Sequence, residues 1–224
     1  MFFVSKTFDI SNSKIYKNIP KSPIEVAGAV FRLHNFVRNE YQFNKNEKRA
    51  IFSQSEPDLR GGKSVDSGLN IQWNFFMPMQ GYNGFQVTEK FNSYLVHNLF
   101  TLPLNNNDSL PRMNLVRGNV YGLACGQDIA EYYGYPVLKN SAVEPHLKLN
   151  IELEENYKKV NKDISENDLD KLNKIFGNKT PLWYYILKES EVFGEGNHLG
   201  YVGSRILAEF FYCLLYKSEN SMLN

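Results

Sequence analysis

Apolar residues recur at helical spacing in several separated stretches of the chain. Within residues 24–41, positions 27, 30, 31, 34, 37 and 38 share one face of a helix, and His34 lies on this face among small and apolar side chains. In residues 89–99 an apolar residue returns at every fourth position, at Phe91, Leu95 and Leu99. The pattern therefore predicts a helix in each of these two stretches.

Start and stop signals predict further helices in the second half of the chain. Gly134 suits a left-handed C-cap for residues 127–133, and Ser165 begins a capping pattern for residues 165–176. Thr180 and Pro181 open a helix over residues 182–190, and residues 200–215 form a strongly apolar last helix. Residues 44–68 and 105–108 are rich in turn-forming residues and are predicted to be mostly loop. These signals predict a mainly α fold.

Composition narrows the class of protein only a little. A chain of 224 residues with 42% hydrophobic content can bury one substantial core. The net charge of +1 gives no electrostatic reason to expect nucleic acid or a membrane surface as a partner, and we expect neither. No stretch has the length of a membrane span or the form of a secretory signal, so a cytoplasmic location is expected. Cys125 and Cys213 lack metal-binding spacing and are expected to be reduced core thiols.

The candidate chemistry lies around His34, which has an arginine on either side, at Arg32 and Arg38. A histidine in an apolar helix face can be the axial ligand of a haem iron, and nearby arginines can pair with the haem propionates. The alternative is a hydrogen-bonded core histidine, which the isolated pattern favours. Motifs elsewhere in the chain are needed to choose between a haem ligand and a core histidine.

Three further segments are similar to the animal-type haem peroxidase superfamily, in particular to its bacterial members. Phe31-Arg32-Leu33-His34 resembles the FR-x-GH sequence of the proximal-histidine helix, without its glycine. Residues 110–127, which include Asn114-Leu115-Val116-Arg117-Gly118, resemble the NL-x-RG-x-x-x-GL-x-x-GQ element, and residues 181–189 and 199–209 resemble the paired helices that close the bacterial members. The resemblance runs from about Ile24 to Leu215.

This resemblance implies a haem-peroxidase-like multihelical domain that is incomplete relative to the family. Residues 24–224 would form the proximal, C-terminal domain, and residues 1–23 an N-terminal extension. The distal histidine and arginine and the calcium loop of the family have no counterpart ahead of Ile24. The implied activity is that of a haem-binding oxidoreductase with hydrogen peroxide as oxidant and an organic donor. Without the distal half the chain alone is expected to be a poor peroxidase.

The resemblance also implies the residues of the site. The cofactor would be haem b, with His34 as the iron ligand. Asn114 corresponds to the asparagine that holds the other ring nitrogen of the histidine, and Arg117, Arg32 and Arg38 to cations near the propionates. Because the glycine is absent, Arg32 stands two residues before His34, and on a helix that shift turns its side chain by about 100°.

Three hypotheses stay open. The first is a peroxidase-like oxidoreductase completed by a second polypeptide or an upstream segment that supplies the distal half. The second is a haem-binding protein without turnover. The third is a truncated remnant of a peroxidase that acts only as an interaction module. In each of them, loss of the half that covers the haem pocket would expose apolar surface, so we expect aggregation or obligate association.

Overall fold

The fold is mainly α, as the sequence predicts. The computed structural model of the chain describes residues 22–53, 59–60, 67–103, 109–139, 166–218 and 221. Of the described residues 51% are helical and 5% lie in strands. Most of the predicted N-terminal extension, the predicted loop at residues 105–108 and the predicted N-cap Ser165 lie wholly or largely outside the described residues.

Six α-helices and one small hairpin make up the regular structure of the described ranges. The helices are α1 (Ile24–Gly28), α2 (Leu110–Val120), α3 (Gly126–Tyr133), α4 (Glu166–Asn178), α5 (Leu182–Gly194) and α6 (Tyr201–Lys217). Strands β1 (Glu40–Gln42) and β2 (Lys48–Ala50) pair antiparallel, with Tyr41 opposite Arg49. Short 3-10 turns, among them Val30–Arg32, His34–Phe36 and His97–Leu99, connect these elements.

Helix α5 lies at the centre of the hydrophobic core. It packs against α2, α3 and α6, while α1 packs against α2 and α6. Tyr185, Ile186 and Leu187 are fully buried, because large apolar side chains gain most from removal from water. The phenolic oxygen of Tyr185 accepts the N–H of Leu138 at 3.1 Å, so its one polar atom is also satisfied.

The predicted helix over residues 24–41 is wrong beyond Gly28. The chain leaves helical geometry at Ala29 (φ −133°, ψ −65°) and continues as the two 3-10 turns Val30–Arg32 and His34–Phe36. A continuing helix would use the Ala27 carbonyl for the Phe31 N–H, but this carbonyl accepts the Nε–H of Arg32 at 3.0 Å. The Arg32 side chain thus occupies a carbonyl that a continuing helix would need, and His34 lies outside any α-helix.

Residues 89–99 also fail to form the predicted helix. Only His97–Leu99 is helical there, as a 3-10 turn. The backbone groups of the segment are used elsewhere: the Glu89 N–H donates to the Phe36 carbonyl at 3.0 Å, and the Phe91 N–H to the Gly196 carbonyl at 2.8 Å. Hydrogen bonds to distant residues override the local pattern in this stretch. Residues 44–68, predicted to be mostly loop, are irregular in most of their described positions and contain the short strand β2.

The helices predicted in the second half of the chain are confirmed, with ends that differ by a few residues. Gly134 caps α3 in the left-handed region (φ 68°). Helix α4 continues to Asn178 and α5 to Gly194, past the predicted ends. Within α6 the Arg205 Nε lies 2.5 Å from the Glu209 Oε1, an ion pair that their spacing of four residues favours.

The predicted states of the cysteines are confirmed, because Cys125 and Cys213 are both free thiols. The Cys125 sulfur accepts the N–H of Asp128 and so caps α3. Burial raises the pKa of both thiols, which keeps them protonated near neutral pH. None of the described helices combines the length and the apolar character that a membrane crossing requires.

Candidate functional site around His34

His34 begins a three-residue 3-10 turn, and its ring is held by a backbone carbonyl. The Nδ1 atom lies 3.1 Å from the carbonyl oxygen of Arg32. A carbonyl oxygen can only accept a hydrogen bond, so this contact requires the proton on Nδ1 and leaves the lone pair on Nε2. Histidines that ligate metals are commonly held in this way, with one nitrogen donating and the other coordinating.

The Arg32 carbonyl accepts a second donor from the core. The indole Nε1–H of Trp183, on α5, donates to it at 2.9 Å. Trp183 is only 4% exposed, so its ring is fixed by the core around it. The Arg32 backbone is also held by its own N–H, which donates to the Ala29 carbonyl at 2.9 Å. The atom that holds His34 is therefore attached to the centre of the fold.

The neighbouring Asn35 anchors the same turn from the other side. Its Nδ2 donates to the carbonyls of Lys90 and Asn92 at 3.1 and 3.0 Å. The side chain is buried, and within the described residues its Oδ1 has no hydrogen-bond partner. Because this buried amide makes two hydrogen bonds to residues 90–92, it holds the backbone next to His34 against that segment.

The two arginines beside His34 are partly occupied by the protein itself. The Nε of Arg32 donates to the Ala27 carbonyl, as described above, and Nη1 of Arg38 donates to the Val87 carbonyl at 2.7 Å. Each of these hydrogen bonds uses one of the five N–H donors of a guanidinium, so within the described residues the other donors remain for an anion. Their predicted contact with haem propionates stays a prediction.

Asn114 is buried on α2 but does not hold His34. It is 1% exposed, and within the described part of the chain its Nδ2 lacks a hydrogen-bond partner. No hydrogen bond joins it to His34 there, since the Nδ1 of His34 bonds the Arg32 carbonyl. The resemblance implies that Asn114 accepts the N–H of the His34 ring. In this structure the acceptor is the backbone carbonyl of Arg32. A buried amide with an unused donor is costly, and it marks a place for a polar partner.

Arg117 lines an open cleft on the outer side of α2. The cleft has a volume of about 370 Å³, and its walls combine apolar and cationic side chains. The guanidinium of Arg117 also lies 3.5 Å from the hydroxyl of Tyr121. The lining residues are Arg112, Met113, Val116, Arg117, Val120 and Tyr121.

Tyr121 connects this cleft to the segment that leads to His34. A Cβ atom placed on Gly28, at the end of α1, would lie 2.9 Å from the Tyr121 Cδ2 and 3.0 Å from the Leu123 Cδ1. The end of α1 thus packs directly on the residues that follow α2. The structure brings Arg117 and α1 to one region, but it forms no hydrogen bond between Arg117 and His34 in the described ranges.

Trp183 is the residue of this site that the sequence does not reveal. Its ring is part of the hydrophobic core. Its hydrogen bond to the Arg32 carbonyl spans 151 residues of sequence. A tryptophan in an apolar helix face carries no signal of such a partner, because packing alone accounts for it.

Comparison of the chain with protein families, with characterised proteins and with solved structures finds no match. Among the described residues no group of three or more His, Cys, Asp and Glu side chains could hold a metal ion. A haem site needs only one protein ligand to its iron, so it does not depend on such a group.

The residues around His34 fit a haem in two respects. His34 has a protonated Nδ1 held by an acceptor and an Nε2 with a lone pair, which is the donor that haem iron takes from a histidine. Arg32 and Arg38, whose guanidinium groups each keep N–H donors unused in the described part of the chain, lie within four residues of it in sequence.

Proposed function

We propose that the chain is the proximal part of a haem-dependent, peroxidase-like oxidoreductase and that His34 is its axial ligand. The observation that carries this proposal is the hydrogen bond from His34 Nδ1 to the Arg32 carbonyl, because it prepares Nε2 for a metal. The sequence resemblance to the animal-type haem peroxidases supplies the identity of the cofactor. The cleft with cationic walls at Arg117 adds support.

When bound, haem supplies the iron at which hydrogen peroxide is reduced and an organic donor is oxidised. His34 would bind the iron through Nε2, and the Arg32 carbonyl would keep the ring in the required tautomer. Arg38 and Arg117 would supply N–H donors for the carboxylates of the haem. The base that takes a proton from peroxide and the cation that stabilises the developing charge would come from a distal half outside these residues.

The experiment is peroxide-dependent oxidation of a phenolic donor by the haem-loaded chain, alone and mixed with a polypeptide that carries the distal half. We expect the chain alone to be slower by at least about a hundredfold, since a general acid–base pair contributes roughly that much or more. Haem binding with no turnover in either arm would favour a haem protein without catalysis. If the chain neither binds haem nor oxidises the donor in either arm, the proposal is wrong.

The partner in this proposal is supported by exposed apolar side chains near the His34 segment. Phe31 is 52% exposed and contacts Phe211 on α6, with ring centroids 6.1 Å apart. Leu214 and Leu215, three and four residues further along α6, are 42% and 50% exposed. We call these four residues the Phe31–Phe211 patch. Apolar surface of this kind, next to the proposed site, suits a covering polypeptide.

We expect the chain alone to self-associate through this patch at micromolar concentration. Phe211→Ser should shift the species toward monomer in sedimentation velocity, because it removes the most central ring of the patch. Val120→Ser, at an exposed position on α2, is the matched control and should leave association unchanged. A monodisperse monomer for the unmodified chain would contradict the expected association.

A further inference from the structure

Two donors from different parts of the chain meet at one atom, the carbonyl oxygen of Arg32. The Trp183 Nε1 lies 2.9 Å from it and the His34 Nδ1 lies 3.1 Å from it. Leu33, between the two 3-10 turns, has the dihedral angles of an inverse γ-turn (φ −83°, ψ 67°), which turn the Arg32 carbonyl toward residue 34, and the Trp183 indole holds the same oxygen from the core. A carbonyl oxygen has two lone pairs, so it can accept both donors at once.

We propose that Trp183 is a positioning residue for His34 and acts on it through the Arg32 carbonyl. Trp183 is buried in α5, which packs against three other helices, whereas His34 is only partly buried in a short turn. The indole N–H fixes the direction of the carbonyl, and the carbonyl fixes the proton on Nδ1 of His34. The ligand role of His34 rests on the proposed function, but the hydrogen-bonded arrangement itself does not require haem.

This arrangement gives Trp183 a function beyond packing. The neutral side chain of a histidine in water carries its proton mostly on Nε2, the nitrogen that would have to bind a metal. Holding the proton on Nδ1 therefore leaves Nε2 free to bind a metal. Loss of the indole N–H lets the Arg32 carbonyl turn away, and the population of the Nδ1–H tautomer of His34 then falls. A ring that merely fills space would have no influence on the tautomer of a histidine 149 positions away in sequence.

The test measures the tautomer of His34 in the haem-free chain by nitrogen NMR of histidine-labelled protein, with His34→Gln to assign the signals. We expect the Nδ1–H tautomer to dominate in the unmodified chain, and Trp183→Phe to raise the Nε2–H population severalfold. Trp73→Phe makes the same change at a site that is 55% exposed and should have no effect. Where Trp183→Phe fails to fold, replacement of Trp183 by benzothienylalanine removes only the N–H and gives the same readout.

An unchanged Nδ1–H tautomer in these Trp183 variants would overturn the positioning role, as would an Nε2–H tautomer in the unmodified chain. The haem-loaded protein provides an independent readout, the iron–histidine stretching frequency of the reduced form, which we expect Trp183→Phe to shift and Trp73→Phe to leave in place. If the tautomer responds while no haem binds, the positioning role stands and the proposed function fails. The two inferences can thus fail separately.

Discussion

Replacement of Gly126 by alanine is expected to prevent stable folding. A Cβ atom at this position would lie 1.9 Å from the Cγ and 2.3 Å from the Cβ of Tyr185. Tyr185 is fully buried in α5 and held by its hydrogen bond to Leu138, so its ring cannot move aside. Helix α3 would have to separate from α5, and overpacking on this scale costs more than about 3 kcal/mol.

Urea unfolding followed by circular dichroism measures this cost, and Gly118→Ala is the matched control. At Gly118, within α2, the new Cβ would meet the Leu123 Cδ1 at an ordinary 3.8 Å. Alanine there should be neutral or stabilising by up to about 1 kcal/mol, because it is the better helix former. An unchanged unfolding midpoint for Gly126→Ala would mean that α3 does not pack on α5 as described.

The second large effect is expected at Glu189, a carboxylate that is fully buried in α5. Its oxygens accept the N–H of Val202 at 2.9 and 3.1 Å and the N–H of Gly203 at 3.4 Å, at the start of α6. Gly200 lies against it so closely that a Cβ there would fall 2.3 Å from the Glu189 Cγ. Glu189→Ala would leave two buried donors unpaired, and we expect a loss on the order of 3 kcal/mol in unfolding free energy.

The pH dependence of stability is a separate signature of Glu189. Burial raises the pKa of its carboxyl from 4.5 to about 7, against the opposing effect of the N–H groups of α6. Between these two values the folded chain holds a proton that the unfolded chain has released, so stability falls as pH rises from about 4.5 to 7. The full loss is on the order of 3 kcal/mol.

Glu189→Gln keeps a carbonyl oxygen for α6 and removes the titration. We expect it to match the unmodified chain near pH 5 and to exceed it in unfolding free energy near pH 8. Glu131→Gln, at an exposed position of α3, makes the same change in charge and should show no such divergence. Parallel stability curves for Glu189→Gln and the unmodified chain would show that the carboxyl titrates normally.

The sequence predicts those parts of the fold that local chemistry determines. Gly134 ends α3 because a residue without Cβ accepts the left-handed cap at no steric cost, and the spacing of Arg205 and Glu209 places the two groups together on α6. Both outcomes depend on neighbours within four residues. The helices of the second half are confirmed for the same reason.

The sequence misses what hydrogen bonds between distant segments determine. The stripe at residues 27–38 has helical spacing, yet the Arg32 carbonyl goes to Trp183 and His34 instead of a helical N–H. The apolar period at Phe91, Leu95 and Leu99 is overridden in the same way, by bonds to Phe36 and Gly196. Periodicity records which side chains are apolar and carries no information on the partners of backbone groups.

At the candidate site, too, the sequence indicates the residue but not its hydrogen-bond partner. His34 could be chosen from its setting of apolar residues and arginines, whereas the acceptor of its Nδ1 could not. The resemblance points to Asn114, 80 positions away, and the structure uses a carbonyl two positions away.

The most direct measurement is a titration of the haem-free chain with haem, followed through the Soret band, beside His34→Ala and His97→Ala. His97 is the matched control, since it also begins a 3-10 turn, in the sequence His-Asn-Leu against His-Asn-Phe at His34. We expect saturable binding with an intense Soret band for the unmodified chain and His97→Ala. For His34→Ala we expect at least about tenfold weaker binding, which corresponds to about 1.4 kcal/mol, and an altered band. Equal spectra and affinities for all three proteins, or a free-haem spectrum throughout, would contradict a haem site at His34.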